Sequence, residues 1–469
     1  MAHLGFVHSV LAGGLCTCAL ATHAAKECET EKLLAWDGGN NFAGFGAALD
    51  IDEDCLVVGS PLHSIGESSP GSILFYRSSP DGWMADGKLW PSDPAQDDFF
   101  GLVLDVKHEK IIVGAPGNDD LGDHSGSAYI FDLMEDEWVE TKLLAPDGAM
   151  SDHFGRSVGI SGEFAVIGAH GDDDNGLSSG SAYIFRKVDG GWMFAQKLLP
   201  SDGAAEHRFG LAAAMDGERA IVGAESHDSA GSNTGAAYVF RYDSRRDGWA
   251  EEAILIAGDA DDYDWFGNSV ALDGEVALIG AYGEYNSRPG AAYVFEYQPD
   301  SGQWIETAKL TASDGELNDL FGQSVAIDGD VAIIGADGDD DLGSDAGAAY
   351  IFTRDPRRST WTEQRKLVAS DGDEKDWFGH AVAVQGHIAV CGAPQDEDQA
   401  IDGGSAYGFD LLACLCTADV DGDGVVGVAD LLAVLMAWGQ PGGPEDVNRD
   451  GVVNVADLLL LLASWGACP

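Results

Sequence analysis

FGQSVAIDGDVAIIGA, Phe321–Ala336, runs into the acidic DGDDDLGSDAG and then into AAYIF, which ends at Phe352. The same sentence recurs along the chain. Its Phe-Gly signpost stands at Phe45, Phe100, Phe154, Phe209, Phe266, Phe321 and Phe378, at intervals of 55, 54, 55, 57, 55 and 57 residues. A fixed period of this length marks a repeat architecture. Each copy supplies SVAI-type and VAII-type β-branched runs joined by a turn such as Asp-Gly, which is a hairpin signal. AAYIF reads as a third strand, and the segment around Trp361 and Lys366-Leu367 as a fourth. Four antiparallel strands in each of seven units predict a mainly β fold, a seven-bladed β-propeller of four-stranded blades.

The last copy ends at GSAYGFD, Gly404 to Asp410, without a fourth strand, while an orphan fourth strand, ETEKLLAWDG, precedes the first copy. The N-terminal strand is therefore expected to close the ring. That would bring Cys28 near Cys414, where a disulfide would lock it. Successive loops of an up-and-down blade alternate between faces, so the GDDDLGSD-type and SDGELNDLFG-type loops share one acidic face. Arg245, Arg246, Arg357 and Arg358 fall on the other. The Phe of Phe-Gly reads as a core anchor, with Gly permitting close strand approach. The Tyr and Phe of AYIF read as packing between blades. The Lys of Lys-Leu is expected to guard the outermost strand edge against pairing.

The chain has 469 residues, 80 acidic against 25 basic, and a formal net charge of −55. Nucleic acid and anionic membrane would be repelled, so cations or basic partners fit better. Residues 1–25 contain LGFVHSVLAGGLCTCALA, Leu4–Ala21, an apolar run with a cleavage signal at Ala19-Leu20-Ala21. This predicts a signal peptide and an extracellular, cell-surface or periplasmic destination. No other run is long enough to span a bilayer as a helix. Cys28, Cys55, Cys391, Cys414, Cys416 and Cys468 would follow the cleavage site, and no C-x-x-C pair suggests zinc or thiol redox chemistry.

Phe100-Gly101 with Gly114-Ala115-Pro116, and Phe378-Gly379 with Gly392-Ala393-Pro394, resemble FG-GAP repeats, over roughly residues 30 to 410. Such repeats form the seven-bladed head of integrin α subunits, and the resemblance implies an extracellular adhesive or ligand-binding propeller. Many members carry a D-x-N-x-D-G calcium loop between the Phe-Gly and Gly-Ala-Pro strands. Here that connection is only IDGD, ISGE or VQGH, too short to wrap a cation. The acidic loops Asn118-Asp119-Asp120, Asp172-Asp173-Asp174 and Asp339-Asp340-Asp341 leave two readings open, a cation site or a solvated, self-repelling surface. Asp337, Asp339 and Asp341 have EF-like spacing, but glycine falls one place late, at Gly343, and place twelve is Ala348. A protein or glycan ligand would be read by residues that break the seven-fold likeness. These are His170, Glu225, His227, Tyr282, Tyr285 and Arg288, with Trp265 and Trp377 able to stack on a sugar; packing beneath the loops is the alternative.

Two other loops satisfy the calcium pattern. DVDGDGVVGVAD offers Asp419, Asp421, Asp423, the Val425 carbonyl and Asp430 around a bend at Gly424. DVNRDGVVNVAD offers Asp446, Asn448, Asp450, the Val452 carbonyl and Asp457. Oxygen-rich shells at this spacing suit Ca²⁺, and two are expected. Each loop leads into an apolar helix, and the duplicated loop-helix form resembles a type I dockerin over Ala413–Pro469. The resemblance implies a cohesin-like partner, read at Val428-Ala429 and Val455-Ala456. Cys416 and Cys468 flank the module as a candidate staple. The expected organisation is a signal peptide at 1–25, a propeller at 26–411 and a dockerin-like domain at 412–469. The leading expectation is an exported, non-catalytic recognition or adhesion protein. The alternatives are a tethered polysaccharide-degrading enzyme and a structural envelope protein.

Overall fold

The computed structural model describes residues 28–36, 41–64, 68–79, 82–135, 137–283, 288–355, 358–398, 400–415, 418, 420, 425–440, 443, 445–447 and 452–467. Seven four-stranded antiparallel sheets surround one axis. Blades 1 to 6 lie at 49–89, 103–143, 157–198, 213–255, 270–310 and 324–367. Blade 7 consists of Ala381–Gln385, Ile388–Ala393 and Ser405–Asp410, completed by Glu29–Leu33 from the other end of the chain. In that pairing Lys32 faces Tyr407 and Leu33 faces Ala406, so the expected ring closure is observed.

Position in the blade explains the patterning of each strand. Val331–Ala336, second from the axis, is buried along its whole length because neighbouring blades cover both of its faces. Its sequence is accordingly an apolar run rather than an alternation. The outer strand Gln303–Leu310 has one covered face and alternates between exposed and covered positions. Phe321 is fully buried between blades, with Tyr350 and Phe352 presenting ring edges at 5.4 and 6.0 Å. Gly322 follows it at φ 96°, where a Cβ would stand 2.3 Å from the Ala291 carbonyl oxygen of the preceding blade. This is why the anchor is Phe-Gly and not Phe followed by any other residue.

At the hairpin end, adjacent blades are stitched around the axis. Asp216 Oδ2 accepts the Gly274 N–H at 2.9 Å, Asp273 Oδ2 that of Gly329 at 2.7 Å, and Asp328 Oδ2 that of Gly386 at 2.5 Å. Gln385 Nε2 donates to Asp52 Oδ1 at 3.2 Å, and Asp52 Oδ2 accepts the His108 N–H at 2.7 Å. Ser161 Oγ does the same for the Gly217 N–H at 2.9 Å. Lys107 interrupts the series, and Asp105 Oδ2 instead accepts the Ile160 N–H at 2.6 Å. The aspartate of the Asp-Gly hairpin is thus a blade-to-blade tie as well as a turn former. Asp273→Ala is expected to lower stability by about 1 kcal/mol, the typical net value of one hydrogen bond, in chemical denaturation.

The inner strands enclose a cavity of about 270 Å³ lined by Asp50, Asp105, Lys107, Asp216, Asp273 and Asp328 among aliphatic side chains. Burial, and for Asp105 its hydrogen-bonded neighbour Asp50, raises the carboxyl pKa of both Asp50 and Asp105. Among the described residues no helix is long and apolar enough to cross a membrane.

Candidate functional site

The acidic loops are occupied from within. In five blades the outer-strand lysine stands opposite the tyrosine of the third strand, as in Tyr350 with Lys366 and Tyr183 with Lys197; in blade 1 Lys88 faces Leu74 instead, and its Nζ lies 2.9 Å from His63 Nε2. Lys366 Nζ lies 3.0, 2.6 and 2.7 Å from carboxylate oxygens of Asp314, Asp339 and Asp341. Lys197 repeats this with Asp147, Asp172 and Asp174 at 2.8, 2.8 and 2.6 Å. Lys32 does so with Asp371, Asp396 and Asp398 at 3.0, 2.8 and 2.5 Å. Lys142 holds Asp93 and Asp120, with Asn118 where the other loops place a buried aspartate, and Lys309 holds Asp259. Asp314 comes from the exit loop of blade 5 and also hydrogen-bonds the Tyr350 hydroxyl of blade 6, so each cage fastens two blades. Burial pulls the Lys197 ammonium pKa down, but hydrogen bonds to three aspartates more than offset it, and the net shift is upward.

This corrects one expectation. The lysine is no edge guard: it is turned into the blade and only 16% exposed in Lys366. In the acidic loops it gives the aspartates a counter-charge, while Asp341 and Asp174 stay 63% and 49% exposed. In the loop at 337–341, Asp339 and Asp341 clamp Lys366, Asp337 accepts from His380, and Asp340 accepts the Asp345 N–H at 2.8 Å. Blade 4 departs from the rule, with Ile254 opposite Tyr238. There the buried His227 brings Nε2 to 3.3 Å from Asp202 and packs on His207 at 4.3 Å.

The other asymmetry lies at the Phe-Gly end of the tunnel. The residue after the second strand is proline in blades 7, 1 and 2, namely Pro394, Pro61 and Pro116. In blades 3 to 6 it is His170, Glu225, Tyr282 and Asp337. Residues flanking Phe-Gly complete the polar arc. Arg208 pairs with the buried Glu225 at 3.3 Å, and His380 Nδ1 lies 2.8 Å from the buried Asp337. Trp265 packs against Tyr282 at 4.8 Å, and Trp377 stacks on His380 at 5.9 Å. His170 stacks on His153 at 5.1 Å. Burial first, and then the positive Arg156 beside it, push the His170 pKa down to about 3, so it is neutral. Burial likewise raises the Glu225 carboxyl above its usual range despite Arg208.

Of the residues singled out from sequence, His170, Glu225, Tyr282, Trp265 and Trp377 gather in this arc. His227 belongs to the blade 4 cage, and Arg288 is held by Asp261 and Asp264. Tyr285 lies outside the described residues. Arg156, Arg208, His153, Asp337 and His380 were missed by sequence reasoning. Their signal was their register: each lies within two positions of a Phe-Gly or Gly-Ala signpost, where the seven copies differ. On the opposite side, Arg246 and Arg358 meet only neighbouring aspartates, Asp243 at 3.4 Å and Asp355 at 3.6 Å, and Arg357 lies outside the described residues.

Cys28 and Cys414 are buried side by side as thiols, their side chains hydrogen-bonded, where strand Glu29–Leu33 closes the ring. Cys416 and Cys468 lie outside the described residues. So do Asp419, Asp421, Asp423, Asn448 and Asp450 of the two C-terminal loops. What is described there is two short helices, Val428–Met436 and Val455–Ala463, and a strand pair in which Val425 faces Ala467. Val426, Val434, Val447, Val453 and Leu461 form a small core. Asp430 accepts N–H groups of Val420 and Gly427, both at 2.7 Å, and Asp457 accepts that of Asn454 at 2.6 Å. Asp430, Asp446 and Asp457 are buried, while Val452 is 47% exposed and its carbonyl accepts from Asn454 Nδ2 at 2.7 Å. Val428 and Val455, expected to face a partner, are 63% and 58% exposed. Unlike the blades, this region carries no lysine and a single arginine, Arg449, against eight acids.

A family model described as FG-GAP repeat matches residues 83–131, 138–185, 192–240, 249–295, 304–352 and 361–409. Each match begins in the outer strand of one blade and ends in the third strand of the next. No curated protein matches the chain. Among solved structures, one from Bacteroides uniformis described as a "putative 6-phosphogluconolactonase" is 11% identical, with a TM-score of 0.46 over 69% of this chain and 85% of that one.

Proposed function

Since the chain belongs to the FG-GAP repeat family, we propose that it is an exported, non-catalytic recognition or adhesion propeller attached through a calcium-binding, dockerin-like module. The observation that carries the recognition reading is the polar arc of blades 3 to 6 beside the proline positions of blades 7, 1 and 2. At this end the copies diverge toward aromatic and charged side chains where the other three blades place proline. An ion pair of Arg208 with Glu225 and a hydrogen bond between His380 and Asp337 hold the arc, which favours binding over turnover.

The attachment reading rests on the two C-terminal loops, whose oxygen-bearing side chains recur at calcium-ligand spacing. Five blades set a lysine against their aspartates, whereas this region carries no lysine. Ca²⁺ would be held by Asp419, Asp421, Asp423, Val425 and Asp430, and a second by Asp446, Asn448, Asp450, Val452 and Asp457. The exposed Val428-Ala429 and Val455-Ala456 then form the surface offered to a cohesin-like protein. Cys28 with Cys414, and Cys416 with Cys468, are proposed to oxidise after export, as thiols do outside the cytosol.

Capture from culture fluid and cell envelope tests this reading. The full chain is expected to retain one discrete protein in calcium and to release it on chelation, and Asp419→Ala with Asp446→Ala should abolish retention. Retention unchanged by chelator would remove the calcium-dependent attachment.

A further inference from the structure

We propose that the Phe-Gly end of the central tunnel binds a sugar bearing a single carboxylate, with that carboxylate on the Arg156 guanidinium and the sugar ring against the Tyr282–Trp265 wall. The inference rests on the recognition reading and names its ligand class.

Charge pairing singles out Arg156. The half-covered arginines Arg186, Arg208, Arg219 and Arg354 each hold a carboxylate within 4 Å. Arg156 makes no ion pair and no side-chain hydrogen bond among the described residues, although acids outnumber bases by 55 in the chain. It immediately precedes Ser157, the first residue of the inner strand of blade 3, whose Val158 and Ile160 line the axial cavity. Burial lowers its pKa, and the nearest opposing charge is Glu225, which Arg208 already engages. A covered guanidinium without a carboxylate is costly to keep, and its planar fork matches a carboxylate with two parallel bonds. The neighbouring His170 and His153 have lowered pKa values and do not compete for the anion as cations.

The rest of the arc favours a sugar over a peptide side chain. Tyr282 packs on Trp265, giving an aromatic surface of the kind that sugar C–H faces cover. Asp337, 7% exposed, uses Oδ2 for His380 and leaves Oδ1 without a partner, an acceptor for a hydroxyl. The net charge of −55 limits the ligand to one negative charge, because repulsion from the whole protein grows with each further one.

The test titrates the full chain, in calcium, with D-glucuronate, D-glucose and N-acetyl-aspartate amide, reading saturation-transfer NMR and calorimetry. Glucuronate is expected to bind at least tenfold more tightly than glucose or the aspartate derivative. Arg156→Gln should erase that difference without lowering the melting temperature, and Arg156→Lys should restore part of it. Equal binding of glucuronate and glucose would overturn the carboxylate assignment, and equal or tighter binding of the aspartate derivative would overturn the sugar. Glucuronate binding unaffected by Arg156→Gln would overturn the site. If Arg156→Gln does not fold, Tyr282→Ala takes its place, expected to weaken both sugars at least fivefold; no weakening would overturn the site. Silence from all three probes overturns this inference alone, because the recognition reading fails separately, when the full chain captures no protein or glycan from the envelope.

Discussion

Lys197→Ala is expected to destabilise the propeller by about 3 kcal/mol, the low end of the range for stranding a buried charge. Calcium is expected to restore part of that loss. The lysine is 15% exposed and Asp172 5%, so deleting the ammonium leaves a buried carboxylate facing Asp147 and Asp174. Oxygens of these three aspartates lie within 4.8 Å of one another, a spacing that one cation can span. The wild-type blade has no need of an outside cation because its own side chain fills the place. Thermal unfolding in chelator and in millimolar calcium distinguishes the two proteins. Lys197→Ala should melt several degrees lower in chelator and recover in calcium, whereas the wild-type blades should be indifferent. A variant as stable as wild type in chelator would mean that the lysine only decorates the loop.

Acidification supplies the second large effect, a gain in stability as pH falls from neutral. Asp152, Asp319 and Asp376 are buried beneath the loops before Phe-Gly, each accepting an N–H three residues back. Burial raises each to about 6. A carboxyl whose folded pKa lies above its unfolded value contributes stability below the unfolded pKa and loses it as pH rises through the folded one. Stability should therefore grow as pH falls from 7 toward 5, by on the order of 1 kcal/mol for each group after allowing for hydration at the loop surface. Relief of repulsion among 80 acids acts in the same direction. The opposing set is Asp93, Asp147, Asp314 and Asp371, each raised by burial but lowered further by its lysine and tyrosine, with Asp259 lowered chiefly by Lys309. Their contribution is present above the unfolded pKa and is lost as pH falls below about 4. The melting temperature of the propeller should pass through a maximum between about pH 4 and 5.5. A monotonic fall from pH 7 downward would show that these aspartates are ionised and satisfied as they stand.

The architecture was legible because it is written seven times. Period, hairpin signals and the orphan strand ending in Lys32-Leu33 specify blade number, strand order and closure, and Lys32 opposite Tyr407 is the outcome. The function of the lysines was not legible. Lys366 and Asp339 lie 27 residues apart, and Asp314 belongs to the preceding blade, so the cage exists only after two blades have docked. An acidic loop read alone resembles a cation site, and the cation that fills it is a side chain from another strand. The candidate ligand site failed for a related reason. His170, Glu225 and Tyr282 were found by their departure from the consensus, while Arg156 and Arg208, beside the invariant Phe-Gly, drew less notice than the anchor they flank. Asp430 and Asp457 were singled out from spacing alone, and the structure buries both in the first turns of short helices.

The central contrast is between blades whose aspartates are held by lysine and a C-terminal region proposed to bind calcium. Equilibrium dialysis of the full chain against micromolar calcium in 0.15 M salt, with bound metal counted per chain, tests it most directly (an ionic strength at which diffuse attraction to the acidic surface is largely screened). Two ions per chain, falling to none in Asp419→Ala with Asp446→Ala, is the result expected. Five or more, surviving those substitutions, would place calcium in the blades and contradict the lysine cages; none at all would contradict the C-terminal sites.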